Sequence, residues 1–265
     1  GFILLRVFGA VILFGLSYFI FIKEKVELKD ISRLALCGVF GVAVNQLLFF
    51  EGLNLTTPIN ASIIMTSNPI LVIIISFIIV KEKITYRKVI GVILGIFGAA
   101  ILILKSGDVQ LNNGMQLGNL FVFINAASYA LYLVIVKPLM QKYKPITVMF
   151  FIFSFGLLYV TPFGLNDLLN VRWETIPVNI YWEILFVVVF TTFIAYLCIS
   201  TALKNLNSST VSIYIYLQPI LATLFAVYLG SDTIDKTKIF ATITIFIGVY
   251  LVSVGSLKLS KQKLS

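Results

Sequence analysis

Nine apolar runs, at about 1–22, 33–53, 58–80, 88–104, 118–136, 145–163, 180–203, 210–230 and 238–257, divide the chain almost end to end. Each approaches the ~20 residues an α-helix needs to cross the hydrocarbon core of a bilayer. Of the 265 residues, 60% are apolar and 12% are charged, against roughly 25% charged in an ordinary soluble domain. A soluble fold of this length cannot hide so much apolar surface, so the chain reads as an integral membrane protein. A transmembrane β-barrel would alternate apolar and polar residues along each strand. The run Ile70-Leu71-Val72-Ile73-Ile74-Ile75 does not. The fold class is therefore all-α, a polytopic membrane helix bundle with short loops and no room for a soluble catalytic domain. Histidine, the commonest general base and metal ligand, is absent from the sequence. Cys37 and Cys198, the only cysteines, sit in apolar runs. No catalytic residue, metal or cofactor is expected.

Alternate loops differ sharply in charge. One set carries fifteen cations, in five groups at 23–33, 81–88, 137–144, at Lys204 and at 258–263. The other set carries four: Lys105, Arg172, Lys236 and Lys238. The positive-inside rule puts the first set and the C-terminus in the cytoplasm. The net charge of +9 needs no nucleic-acid partner, because an anionic cytoplasmic leaflet accounts for it. Nine spans that end inside begin outside. One further helix upstream of Gly1 is therefore expected, giving ten spans with both ends inside.

A shift of 150 residues lays the chain on itself. Asn68-Pro69-Ile70-Leu71 falls on Gln218-Pro219-Ile220-Leu221, Lys88 on Lys238, Gly98 on Gly248, and Glu82 on Asp232. No gap is needed from about 47 to 104. The first four spans match the last four, and the fifth has no partner. The unit of repetition is five helices, and an odd number inserts the two copies in opposite senses. Inverted repeats are a common design of secondary transporters, although channels and scaffolds can also be duplicated. The expected boundaries are 1–109 for the first repeat, 118–257 for the second and 258–265 for a basic tail.

The segment NQLLFFEGLNLTTPINASIIMTSNPILVIIISFIIVKEKITYRKVIGVILGIFGAAILI resembles the EamA-type branch of the drug/metabolite transporter (DMT) superfamily. The resemblance is carried by Gly52-Leu53, Thr56 and Thr57, Asn60-Ala61-Ser62, Pro69, Glu82, and Gly91, Gly95 and Gly98. The second repeat echoes it in ALKNLNSSTVSIYIYLQPILATLFAVYL, with Ser231-Asp232 where that family usually has Gly-Glu. Arg6-Val7-Phe8 and AASYALYLVIVK (126–137) resemble its second and sixth spans. The resemblance implies ten spans, cytoplasmic termini, a central cavity between the halves and movement of small metabolites.

Pro69 and Pro219 lie mid-span in equivalent helices and free the carbonyls of Met65 and Ile215 at membrane depth. A carboxamide, Asn68 or Gln218, precedes each proline. Matched proline-interrupted helices point to a binding site, and a structural kink with interhelical hydrogen bonds is the competing reading. Asn45 and Gln46 are adjacent, about 100° apart on a helix, so at most one faces the centre. Asn125, Tyr129 and Tyr132 share one helix face, and Tyr196, Tyr214 and Tyr216 add hydroxyls at depth. Such a Tyr/Asn surface could bind a planar or zwitterionic solute or serve as polar glue between helices. Glu51 is the candidate for ion coupling, against an exposed interfacial carboxylate. Glu82 reads as a cap in a cytoplasmic loop, and the glycine face at 91, 95 and 98 as packing.

The resulting expectation is a multi-pass transporter of the inner or plasma membrane that exports a small polar or amphipathic metabolite, such as an amino acid, by alternating access. Its partners would be a small-molecule substrate and the lipid bilayer. A homodimer is compatible with this reading, and oligomeric state is left open. The rivals are a membrane-embedded enzyme acting on lipid-type substrates and a non-transporting membrane sensor or scaffold.

Overall fold

The computed structural model describes residues 1–105, 115–230 and 235–261. Among these it has nine helices long and apolar enough to cross a membrane. They are α1 Phe2–Phe21, α2 Leu28–Leu55, α3 Pro58–Val80, α4 Tyr86–Lys105, α5 Gln116–Lys142, α6 Pro145–Leu169, α7 Val178–Asn205, α8 Ser208–Tyr228 and α9 Lys236–Lys261. Asp232, expected as the counterpart of Glu82, lies outside the described residues.

Local chemistry sets several boundaries. Thr57 is extended and its Oγ1 accepts the Asn60 N–H at 3.2 Å, which caps α3, and Pro58 follows at the first helical position. Proline is tolerated there because that N–H has no intrahelical partner. Lys81 ends α3 in a left-handed turn at φ 53°. At α4 the sequence expectation is corrected. Glu82 does not cap the helix. Thr85 Oγ1 accepts the Lys88 N–H at 3.4 Å, because the helix begins only at Tyr86. The repeat preserves this device, since Asp235 Oδ1 accepts the Lys238 N–H at 2.8 Å.

Irregularities recur at equivalent places. A π turn interrupts α2 at Val39–Ala43, and another interrupts α7 at Val187–Ile194. A shift of 150 residues carries the first into the second. The prolines produce breaks rather than kinks. Helix α3 is two pieces, Pro58–Met65 and Asn68–Val80, joined through Thr66 and Ser67. In α8 a tight 3₁₀ turn, Tyr214–Tyr216, separates Ser208–Ile213 from Leu217–Tyr228. Each proline therefore falls in the first turn of the second piece, where its missing N–H leaves no helical bond unmade.

The chain forms two compact units. The first holds Gly1–Leu47 and Ile135–Asn205. In it α1 and α6 run antiparallel. A Cβ on Gly164 would sit 3.0 Å from that of Leu4, and one on Gly15 would sit 3.2 Å from the Phe150 ring. Phe14 packs 5.3 Å from Phe153 and 4.6 Å from Phe193, and Phe153 packs 4.9 Å from Tyr196. Between α1 and α2, Glu24 accepts from the Lys144 N–H and the Thr147 hydroxyl, and Lys142 Nζ reaches Glu27 at 2.7 Å. These two loops carry the charge signature of one membrane face, and they meet.

The second unit holds Leu48–Val134 and Leu206–Ser265. Its core packs Val92 and Ala99 of α4 against Ile213 and Tyr216 of α8 and Ile245 of α9. A Cβ on Gly91 would lie 2.6 Å from the Gly248 carbonyl oxygen, and one on Gly98 would lie 2.7 Å from that of Ala241. Only a residue without a side chain lets the backbones approach this closely. The two contacts are images of each other, because the repeat maps 91 onto 241 and 98 onto 248. The helices pair in antiparallel sense, as an inverted repeat requires.

Candidate solute site

A cavity of about 620 Å³ lies inside the second unit. The broken helices line it from two sides, with Ser62, Met65 and Thr66 from α3 and Ile215, Gln218 and Pro219 from α8. Further along α8, Ala222, Thr223 and Ala226 continue the wall, and Leu102 and Ile103 close it at the end of α4. Phe49 and Leu53 contribute from the end of α2. The free carbonyls expected at Met65 and Ile215 are corrected by the breaks: the helices restart just before the prolines, and the Ile215 carbonyl accepts the Leu217 N–H.

A hydrogen bond joins the two breaks. The Tyr216 hydroxyl donates to the Thr66 carbonyl at 3.0 Å. These positions are equivalent under the repeat, so the two interrupted helices touch at their shared point of interruption. Tyr216 is fully buried, and its ring occupies the hollow above Gly95, where a Cβ would come within 2.2 Å. In the sequence Gly95 reads as packing and Tyr216 as one of the hydroxyls at depth; that the two meet, and that Tyr216 bonds its match Thr66 in the opposite copy, emerges only in the fold.

The cavity sits where α3 begins and α4 and α8 end. The other end of the same unit is sealed by charge. Lys88, 1% exposed, pairs with Glu82, whose other oxygen accepts the Ser209 hydroxyl at 3.0 Å. Residues of the α3–α4 loop are thereby tied to the first turn of α8. A buried ammonium needs such a partner, since an unpaired charge is strongly disfavoured at low dielectric.

Of the sequence candidates, Gln218 and Pro219 line the cavity. Gln218 is exposed. Asn68 and Pro69 are buried, and Asn68 Nδ2 donates to the Ala126 carbonyl of α5 at 2.9 Å. Asn125 and Tyr132 are buried on α5, with Tyr129 half-buried and its ring 5.9 Å from Tyr132. Tyr214 is exposed on α8. In the first unit Gln46 is buried and faces the Tyr196 hydroxyl, which donates to the Gly41 carbonyl at 3.4 Å, while Asn45 is half-buried. Glu51 is exposed. It lies midway in sequence between the lining residues Phe49 and Leu53, so helical geometry turns it to the opposite face. Arg6 Nε donates to Thr192 Oγ1 at 2.6 Å.

Residues 2–104 and 116–254 match the EamA-like transporter family. The chain belongs to that family. It is similar to "Uncharacterized transporter YyaM" of Bacillus subtilis (strain 168), at 25% identity over 255 residues, covering 96% of this chain and 83% of the relative. An "Uncharacterized transporter" of Archaeoglobus fulgidus is 28% identical over 230 residues, covering 85% and 76%. A solved crystal structure superposes with a TM-score of 0.77 at 18% identity, covering 97% of this chain and 88% of the other, which is a likeness of fold. This EamA-family chain is a multi-pass membrane transporter built as an all-helical bundle.

Proposed function

We propose that this transporter moves small polar or amphipathic metabolites, the class to which amino acids belong, by alternating access. Its place is the cell membrane, its C-terminus faces the cytoplasm, and its direction is export. The observation that carries this reading is the cavity between the matched breaks of α3 and α8, with the opposite end of those helices tied by Glu82, Lys88 and Ser209. One end of the second unit is hollow and the other is latched. A transporter must exchange those two conditions to expose a solute to each side in turn. Half-helices that pivot at a turn rather than bend along their length provide the hinge. The charge asymmetry of the loops supports the orientation.

The test is flux. Purified protein in liposomes loaded with a metabolite pool should release at least one solute faster than protein-free liposomes. Ala222→Trp places an indole in the cavity and should abolish that release while the protein stays monodisperse. Absence of any protein-dependent release sinks the proposal, as does undiminished release by the variant.

A further inference from the structure

We infer that Arg6, Gln46 and Tyr196 of the first unit form a recognition site for the carboxylate of the transported solute. This rests on the transport reading above and narrows its substrate class to carboxylic acids, amino acids among them.

A guanidinium inside a membrane span is costly and marks a functional partner. Arg6 is half-buried in the second turn of α1. Its Nε–H is given to Thr192, which is fully buried midway along α7. Among the described residues that is its one hydrogen bond, and it has no ion pair. The N–H groups of its two terminal nitrogens form the planar fork that meets a carboxylate through two parallel bonds. One guanidinium balances one negative charge.

Gln46 points to a ligand independently. It is 3% exposed, and neither its Nε2 nor its Oε1 has a hydrogen-bond partner among the described residues. A buried amide left unpaired is disfavoured, and native structures rarely hold one without a reason. Gln46 faces the Tyr196 hydroxyl, and Tyr196 lies within electrostatic reach of Arg6. The three side chains therefore converge. Gln46 and Tyr196 are also equivalent under the shift of 150 residues, so the first unit brings matched polar positions together, as the second does with Thr66 and Tyr216. The two π turns serve the same place. Gly41, whose carbonyl accepts the Tyr196 hydroxyl, sits in that of α2, and Thr192 sits in that of α7. Such turns concentrate at functional sites. Phe153 packs edge-on to the Tyr196 ring at 4.9 Å, an apolar surround in which an ion pair is strengthened. A carboxylate would place its two oxygens on the fork and a remaining lone pair on Gln46 Nε2. A primary amide in its place offers one oxygen and no charge.

The experiment uses the full chain in phosphatidylcholine liposomes loaded with an equimolar mixture of the protein amino acids and their primary amides. Efflux of each compound is read by mass spectrometry against protein-free liposomes, and any acid released from the metabolite pool is compared with its own amide in the same way. The carboxylates should leave at least tenfold faster than the amides. Arg6→Gln should cut the ratio of carboxylate to amide release at least tenfold, whereas a merely structural Arg6 would lower both rates and leave the ratio. Gln46→Leu, which spares the Arg6–Thr192 bond, should cut the ratio at least threefold. Release of the amides within threefold of the carboxylates by the unmodified protein overturns the inference and leaves transport standing, as does pool release confined to solutes without a carboxylate. So does an unaltered ratio in monodisperse Arg6→Gln, or in Gln46→Leu where Arg6→Gln does not stay monodisperse. An Arg6→Gln effect that emerges only when phosphatidylglycerol is added assigns the guanidinium to a lipid headgroup and overturns the inference too. Absence of protein-dependent efflux both for the mixture and for the metabolite pool overturns transport itself, and this inference with it.

Discussion

At the scale of single residues, the second unit is governed by what a missing or buried atom permits. Gly95 exists because the ring of Tyr216 lies against it, and Gly95→Ala would drive a methyl into Tyr216 Cδ2 at 2.2 Å. The ring cannot retreat, because its hydroxyl is tethered to Thr66. The substitution should cost about 1–3 kcal/mol, seen as a lower midpoint in thermal unfolding of the detergent-solubilised protein. Tyr216→Phe keeps the ring and loses one hydrogen bond, so it should cost only about 0.5–1.5 kcal/mol. A larger loss from Tyr216→Phe than from Gly95→Ala would contradict this account. The Glu82–Lys88 pair gives a second prediction. Glu82→Gln alone leaves a buried ammonium without a counter-charge and should destabilise by about 3–5 kcal/mol. Combined with Lys88→Met, the loss should shrink well below that of the single variant. The same stability measurement on both variants decides it.

At the scale of elements, the irregular turns organise the helices. The π turn in α7 carries Thr192, whose hydroxyl bonds both Arg6 of α1 and, at 3.0 Å, the Val187 carbonyl five residues back. Such turns arise where a side chain must reach a partner that α-helical register would miss, and they cluster at functional places. Thr192→Val should therefore cost about 1.5–3 kcal/mol, the range for a hydrogen bond to a charged group. Exchange of backbone amides should rise at 187–196 and leave α4 and α9 unaffected. The breaks in α3 and α8 were legible in the sequence as prolines at matched positions. That they are breaks rather than kinks was not, because it depends on Thr66 and Ser67 leaving the helix and on Tyr216 reaching across to fix the gap.

At the scale of the whole molecule, charge sets both orientation and acid sensitivity. If the positive loops face the cytoplasm, a single cysteine at Lys144 in a background without Cys37 and Cys198 should react with an impermeant maleimide only after cells are opened. One at Arg172 should react in intact cells. The reverse pattern would invert the topology. Glu27 lies in the cation-rich set of loops, and hydrogen bonds from Lys142 and then Lys29 hold its carboxyl below the ordinary value of 4.5. A lowered carboxylate pKa means the folded state favours the ionised form. Its contribution is present above pH 4.5 and is lost as pH falls through the lowered value. The protection of amides at 23–30 from hydrogen exchange, relative to their intrinsic rate at each pH, should fall on acidification below about pH 4.5. In Lys142→Gln this acid step should be reduced.

The number of spans, their helical nature, the duplication and the alternation of loop charge were all written in the sequence. Each depends on composition or spacing along one chain. The structure confirmed the helical spans and revealed the antiparallel pairing of Gly91 with Gly248 that the duplication implied. Which polar groups serve a solute was not legible, because a side chain's role depends on what packs against it from a helix distant in sequence. Asn68 and Gln218 are equivalent in the repeat, yet one is closed in by Ala126 of α5 and the other lies open beside a cavity. Tertiary packing decided between them, since a repeated sequence fixes the backbone of each copy but not the neighbour each copy meets.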